Sequence, residues 1–408
     1  HTRFRNVTGV QTCALPICIY QIYEGAGFRT PIHQTHLIHD FVVNATDFEA
    51  RLAAAHASPN VMLRETARGL RYLGRESAGP RVVDERAGQQ IRALVFGVIV
   101  DPGITRPLPL AGISYVNLNL FGRGAQVNAF AGGTYGQVSW SVPAIAGTGW
   151  QLHGSAFAIA SRYNDRVFNH GVERYEQNVR QRPSHATVGV LRPLTPRLRL
   201  RLDYALDVVS FSRAATTAGR FVVPATAIAH GVVLGIDAER GAWTLRTWWN
   251  PAWRQGWRDW GFSESASTGR RYQRLGVQLA RTLALGPALA SRIEGSWVGG
   301  RDLDRFSRFA FNSFDNRLHG YPTASIRYDR GGVLRSVTSW SMRGARFDGF
   351  ADLAAVHDPG FDERLRLSPG FGVAAEAGGL FRTLWSIEWG YGVRTGTHTV
   401  QLNGYRTF

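Results

Sequence analysis

The side chains best suited to chemistry in this 408-residue sequence are its 12 histidines and its 2 cysteines, taken with its serines. His33, His36 and His39 lie close enough in sequence to suggest a metal cluster. No cysteine accompanies them and there is no H-E-x-x-H, so the metal chemistry they would need is incomplete. His153 and Ser155 stand two apart on one predicted strand, too little to argue for a barrel-type hydrolase that uses serine and histidine on its outer face. Cys13 and Cys18 have neither C-x-x-C nor zinc spacing. The sequence holds no G-x-S-x-G elbow, no Walker loop and no G-x-G-x-x-G opening a helix after a strand. We therefore expect no catalytic residues, no cofactor, no metal and no enzymatic activity.

The informative pattern is instead arginine and aspartate alternating with apolar residues. Over 197–208, Leu198, Leu200, Leu202, Tyr204, Leu206 and Val208 share one face of a strand. Arg197, Arg199, Arg201, Asp203 and Asp207 share the other. A helix would smear these charges around its axis, whereas a strand segregates them. The same period places Leu275, Val277 and Leu279 opposite Arg274 and Gln278. It places Trp385, Ile387, Trp389 and Tyr391 opposite Ser386 and Glu388. About sixteen such strands fit between residues 91 and 408, the even number that a single-chain bacterial membrane barrel requires. Short turns such as 193–196 and 285–287 alternate with long polar stretches at 163–183, 253–269 and 300–331. Short inner turns and long outer loops give that alternation.

Composition agrees. The formal charge is +17, yet the sequence contains no lysine and its arginines are spread along the whole chain. A nucleic-acid arm would concentrate them, so no nucleic-acid partner is expected. Mean hydropathy is −0.16. The longest apolar run, 93–100, is far short of the roughly 18–20 residues of a spanning helix. A barrel conceals its membrane signal because only alternate residues face lipid. The expected fold class is all-β: a transmembrane antiparallel barrel of about 16 strands over 89–408.

The two ends of the chain differ. Residues 1–18 contain Arg5–Ile17, which looks like translated sequencing adaptor and is set aside from fold reasoning. Residues 19–88 form a pre-barrel segment, expected to be periplasmic, in which Leu63, Ala67, Leu70 and Leu73 have helical spacing. At the other end, Val400, Leu402, Gly404 and Phe408 alternate with Thr399, Gln401, Asn403 and Tyr405. A closing strand with a terminal aromatic matches the signal by which outer-membrane barrels are recognised for insertion.

Three stretches carry a resemblance. Arg317-Leu-His-Gly-Tyr321 sits in the last long loop, five strands from the end. Phe350-Ala-Asp-Leu-Ala354 follows on the second strand after it. The run 365–378, then 384–393 and the ending VQLNGYRTF, complete the set, and upstream ISYVNLNLFGRGAQ is similar to an early hairpin. Together these resemble the BamA/TamA-type outer-membrane assembly and translocation barrels, the bacterial surface antigen superfamily, with the N-terminal part missing. The resemblance implies a [VI]-R-G-[FY] loop folded into the lumen, here Arg317, His319, Gly320 and Tyr321. It also implies a barrel-wall acid, here Asp352, that pins the loop. His319 stands where the family has arginine, and Ala354 where it has glycine. The neighbouring Arg317 is an alternative cation.

The implied function is assistance in inserting or translocating other polypeptides at the bacterial outer membrane. The implied partners are outer-membrane lipid and lipopolysaccharide, unfolded outer-membrane protein clients and periplasmic accessory proteins. Mechanistically, the first and last strands would meet at a weak seam, loosened by Gly404. The alternatives are a passive porin-like channel or the membrane anchor of a larger exported protein, and a soluble β-sandwich lectin or adhesin.

Overall fold

A computed structural model describes residue 50, residues 63–66, 69–75 and 81–84, and residues 90–407 apart from 105, 122–124, 143–144, 146–147, 196, 263–268, 287, 314–315, 343–344 and 379–382. The Cys13, Cys18, His33, His36, His39 and Phe408 expectations fall outside these residues.

Before the barrel, Leu63–Thr66, Gly69–Arg75 and Arg81–Asp84 form a three-stranded antiparallel sheet. This corrects the helical reading of that stretch. Thr66 pairs with Gly69, closing a hairpin where a helix needs an unbroken turn. Gly69 and Gly74 would each cost such a helix about 1 kcal/mol relative to alanine.

The rest is one closed antiparallel barrel of sixteen long strands. They are β1 Gln90–Val100, β2 Leu108–Leu120, β3 Ala125–Gly132, β4 Tyr135–Val142, β5 Gln151–Ile159, β6 Val179–Thr195, β7 Leu198–Arg213 and β8 Ala227–Arg240. Then come β9 Trp243–Gln255, β10 Arg271–Ala284, β11 Leu289–Arg301, β12 Arg330–Met342, β13 Ala345–His357, β14 Arg366–Gly378, β15 Leu384–Gly392 and β16 Thr397–Thr407. Connections after even strands are mostly short, such as 241–242, the longest of them being 143–150. Those after β5, β7, β9, β11 and β13 are long, the longest being 302–329.

Side-chain alternation fixes which face looks out. On β7, Leu200, Leu202 and Tyr204 are 41%, 46% and 40% exposed, whereas Asp203 between them is 6% exposed. The same holds for Leu275, Val277 and Leu279 on β10 and for Trp297, Leu334, Leu353 and Ile387 on later strands. Among the described barrel residues no second layer covers the leucine and tryptophan rows, and the sheet closes on itself as a two-sheet sandwich does not. Trp243 and Trp253 bracket the exposed belt on β9. Ten residues span about 33 Å of strand, which at a tilt of about 40° projects to roughly the 25 Å apolar band of a membrane barrel.

The inner face pairs its charges. His153 on β5 reaches across β6 to Asp203 on β7 at 2.8 Å. Gly189 lies between them, and a Cβ there would overlap the Asp203 carboxylate. Arg246 bonds Asp237 at 3.2 Å, and Asp207 bridges His185 at 2.5 Å and Arg274 at 3.5 Å.

The seam is a continuous ladder from Val400↔Val100 to Thr407↔Ala93. Gly404 does not leave it bare. The Phe96 ring of β1 occupies the space over Gly404 and meets the Trp385 ring of β15 edge-on, centroids 5.1 Å apart. The missing side chain expected to loosen this strand is thus replaced by an aromatic from its neighbour.

The alternation predicts a sharp asymmetry between adjacent positions. Val277→Arg, at mid-belt on the outer face, should cost about 2–4 kcal/mol, whereas Gln278→Arg on the wet face should cost under about 1 kcal/mol. Urea unfolding of each variant in phospholipid vesicles measures both.

Candidate functional site

The connection 302–329 is too long to be a turn and too buried to be an outer loop lying in water. Phe311, Leu318, Tyr321, Ile326 and Tyr328 form a core with Val333 of β12 and with Ala354 and Val356 of β13. All three wall residues share the inward parity of Asp352. The loop therefore folds into the barrel and supplies the interior with its apolar filling.

Its tip is held by polar contacts. The His319 amide donates to Asp352 Oδ2 at 2.9 Å, and His319 Nδ1 lies 2.6 Å from the same oxygen. Both side chains are buried. The imidazole stacks on Phe350, centroids 4.4 Å apart and planes 20° apart. His319 Nε2 is buried, makes no hydrogen bond and stands 3.7 Å from Glu388 Oε1. Arg317 Nη1 donates to Glu388 at 2.6 Å, and Nη2 donates to Gln401. The arginine and the histidine thus divide the work: His319 takes the acid on β13, and Arg317 takes β15 and β16. Arg335 of β12 donates to the Arg317 carbonyl at 2.9 Å.

Glycines make the docking surface. Gly320 has φ +78°, and a Cβ there would overlap backbone atoms of Tyr391 and Gly392. Its amide donates to Thr399 Oγ1 at 3.2 Å, and its carbonyl accepts from Thr397 Oγ1 at 2.6 Å. A Cβ on Gly370 would overlap the His319 carbonyl, and one on Gly390 would stand 2.7 Å from the Gly320 amide nitrogen. Backbone meets backbone here because both sides lack side chains. Tyr321 completes the tip, its hydroxyl donating to the Pro369 carbonyl at 2.9 Å. Burial raises the pKa of that hydroxyl above the ordinary tyrosine value, which keeps it a donor.

Two further acids anchor the loop. Asp101, after β1, accepts from the Thr323 amide at 3.0 Å, from Thr323 Oγ1 at 2.5 Å and from Ser313 Oγ. Asp165, fully buried before β6, accepts from Arg305 Nε at 3.2 Å and faces Arg327 Nη2 at 3.0 Å in an ion pair without hydrogen-bond alignment. Burial pulls Arg305 below the ordinary guanidinium range, with Asp165 opposing that pull. Arg254 of β9 adds a two-bond clasp on Asp304, at 2.5 and 2.9 Å.

The structure thus brings Arg317, His319, Gly320, Tyr321 and Asp352 into one site. Val400 borders the same small cavity as Arg317, His319 and Tyr321, whereas Leu402, Gly404 and Tyr405 lie farther along β16. Sequence reasoning named Glu388, Gln401 and Thr399 only as positions on the polar faces of strands, and it passed over Asp101 and the glycine floor. Gly390 and Gly392, two apart and in phase with the inward Glu388, were the available signal. Asp101 and Arg305 lie in loops, and Asp165 and Arg327 in strands of three and two residues, too short for periodicity to mark them.

No family model and no curated protein sequence matches the chain. Solved structures do. CdiB from Escherichia coli aligns with TM-score 0.56 at 11% identity, over 90% of this chain and 71% of that one. CdiB from Acinetobacter baumannii aligns with TM-score 0.52 at 10% identity, over 80% and 61%. BamA from Haemophilus ducreyi lacking POTRA domains 1–3 aligns with TM-score 0.51 at 11% identity, over 88% and 77%. This chain has the BamA/CdiB barrel fold. Within that fold, this chain holds its interior loop with a histidine–aspartate contact and a separate arginine–glutamate contact.

Asp352→Ala should leave the His319 amide and imidazole without an acceptor, costing about 1.5–3 kcal/mol for bonds to a charged group. Asp352→Asn should cost less, since one acceptor oxygen remains. Gly320→Ala should expel the tip altogether. The checks are the temperature of the heat-induced mobility shift in gels and the rate of protease cleavage within 302–329, both ordered Gly320→Ala, then Asp352→Ala, then Asp352→Asn.

Proposed function

We propose that this chain is a bacterial outer-membrane barrel that assists the insertion or translocation of other polypeptides. The observation that carries the reading is the plugged interior: a closed barrel of the BamA/CdiB fold whose longest loop is bound inside by Asp352, Glu388 and Gln401. A pore for small solutes needs an open lumen, whereas a polypeptide-handling barrel needs a seal that yields. Polar contacts on a glycine floor are such a seal. Their partners can exchange for water or a passing chain one at a time, before the apolar packing of Phe311, Leu318, Ile326 and Tyr328 has to give way.

In this reading the first and last strands are the working edge. The β1–β16 ladder, once opened, presents unpaired backbone groups to which an incoming strand adds. The clients are unfolded barrel polypeptides or exported chains, helped by periplasmic accessory proteins, with lipid and lipopolysaccharide around the belt. The chain's residues bind and guide and carry out no covalent chemistry.

Leu402 of β16 and Val98 of β1 are register partners, so a Val98→Cys/Leu402→Cys pair would lock the seam when oxidised. In proteoliposomes the wild-type chain is expected to accelerate the folding of a denatured barrel client. The oxidised double variant should lose that acceleration, and reducing agent should restore it. A large, steady conductance from the wild-type chain in a planar bilayer would overturn this reading in favour of a passive channel. So would unaltered acceleration with the seam locked.

A further inference from the structure

The arginines of the barrel fall into two classes. Most of those facing inward have carboxylate partners, such as Arg199 with Glu239, Arg246 with Asp237 at 3.2 Å, Arg292 with Glu294 at 3.2 Å and Arg346 with Asp348 at 2.8 Å. Several outward ones have none among the described residues, and three of these lie beside or opposite an exposed tryptophan at the short-turn end. Arg192 on β6 and Arg281 on β10 share the parity of the exposed Val188 and Leu279. Arg240 on β8 shares that of the exposed Ile236. None of the three has a carboxylate within ion-pair distance among the described residues.

What two of them do have is an indole. The Arg192 guanidinium lies 5.1 Å from the ring centroid of Trp150, and that of Arg281 lies 5.0 Å from Trp243. The strand register puts Arg240 opposite Trp243 on its other side, so the order across three strands is Arg240, Trp243, Arg281. Both tryptophans face outward, 38% and 43% exposed. All five residues sit at the short-turn end of the barrel, at one margin of the apolar belt.

A guanidinium at that margin, without a counter-ion and beside hydrocarbon, is costly. Tryptophan at the same level marks the interface where head groups begin. An indole face holds a guanidinium by cation–π attraction. That leaves its N–H fork free for the bidentate geometry that phosphate oxygens match. In an outer membrane, the end with short turns faces the periplasmic leaflet, whose head groups are glycerophospholipids. We infer that Arg192 on Trp150, and Arg240 and Arg281 around Trp243, bind the phosphates of anionic glycerophospholipids at the short-turn rim. The inference rests on the membrane reading above but not on the handling of polypeptides.

The test is native mass spectrometry of the full chain released from micelles doped with phosphatidylglycerol, phosphatidylcholine or lipid A. The wild type should retain phosphatidylglycerol in preference to phosphatidylcholine. The triple variant Arg192→Gln/Arg240→Gln/Arg281→Gln should weaken that retention about a hundredfold. Arg182→Gln, outward at the opposite end of β6, should leave it unchanged. The triple arginine-to-lysine variant keeps the charge but loses the fork, and should fall between. It also serves should the glutamine variant fail to fold, as judged by heat-induced mobility. Equal retention of the two phospholipids overturns the inference. So does a triple variant, glutamine or lysine, that binds as well as wild type, or a rim that selects lipid A instead. A chain that stays water-soluble and shows no heat-induced mobility shift defeats the membrane reading itself, which separates the two failures.

Discussion

Hydrocarbon offers no hydrogen bonds, and everything else in this molecule follows from that. Every backbone amide and carbonyl within the belt must find its partner in the protein, and for strands this is possible only if the sheet closes on itself. Closure through the Val400↔Val100 to Thr407↔Ala93 ladder then forces the period-two arrangement. One side chain in two meets lipid, the next meets a wet interior, and no residue can serve both. The glycines, too, stand where the closed wall must accept something else: an aspartate at Gly189, an aromatic ring at Gly404, a loop backbone at Gly390 and Gly392.

The interior solves a problem that closure creates. A sixteen-strand ring encloses more space than inward side chains fill. The 302–329 loop fills it with an apolar body and a polar rim. Asp352, Asp101 and Asp165 hold the loop at three separated places, each by several bonds. Such an arrangement is rigid while all three are engaged, and it loses rigidity stepwise as each is released. An apolar plug of equal size would be held more uniformly and would have no separable points of release.

How much of this could be read beforehand depended on whether periodicity marked it. Leu200, Leu202 and Tyr204 against Asp203 announced the orientation of β7, and similar rows announced the other strands and nearly all their connections. The tip residues Arg317, His319, Gly320 and Tyr321 with Asp352 were legible only through a motif, because a loop has no period. The same absence hid Asp101, Asp165 and Arg305. The pre-barrel stretch failed differently. Leu63, Leu70 and Leu73 fit a helical spacing as well as they fit strands, and the pairing of Thr66 with Gly69 decided the matter through backbone contacts that no side-chain count records. Gly404 was noticed, but its neighbour's ring was not, since register across the seam cannot be had from one strand.

The Phe96 ring over Gly404, resting on Trp385, lies on the lipid side of the wall. Parting β1 from β16 would uncover these rings to acyl chains, not to water, and acyl chains are as apolar as the rings themselves. The hydrophobic penalty that usually resists separation of an aromatic pair is therefore absent at this joint. What holds it shut is backbone hydrogen bonding and close contact, and an arriving strand of matching pattern can replace both in kind.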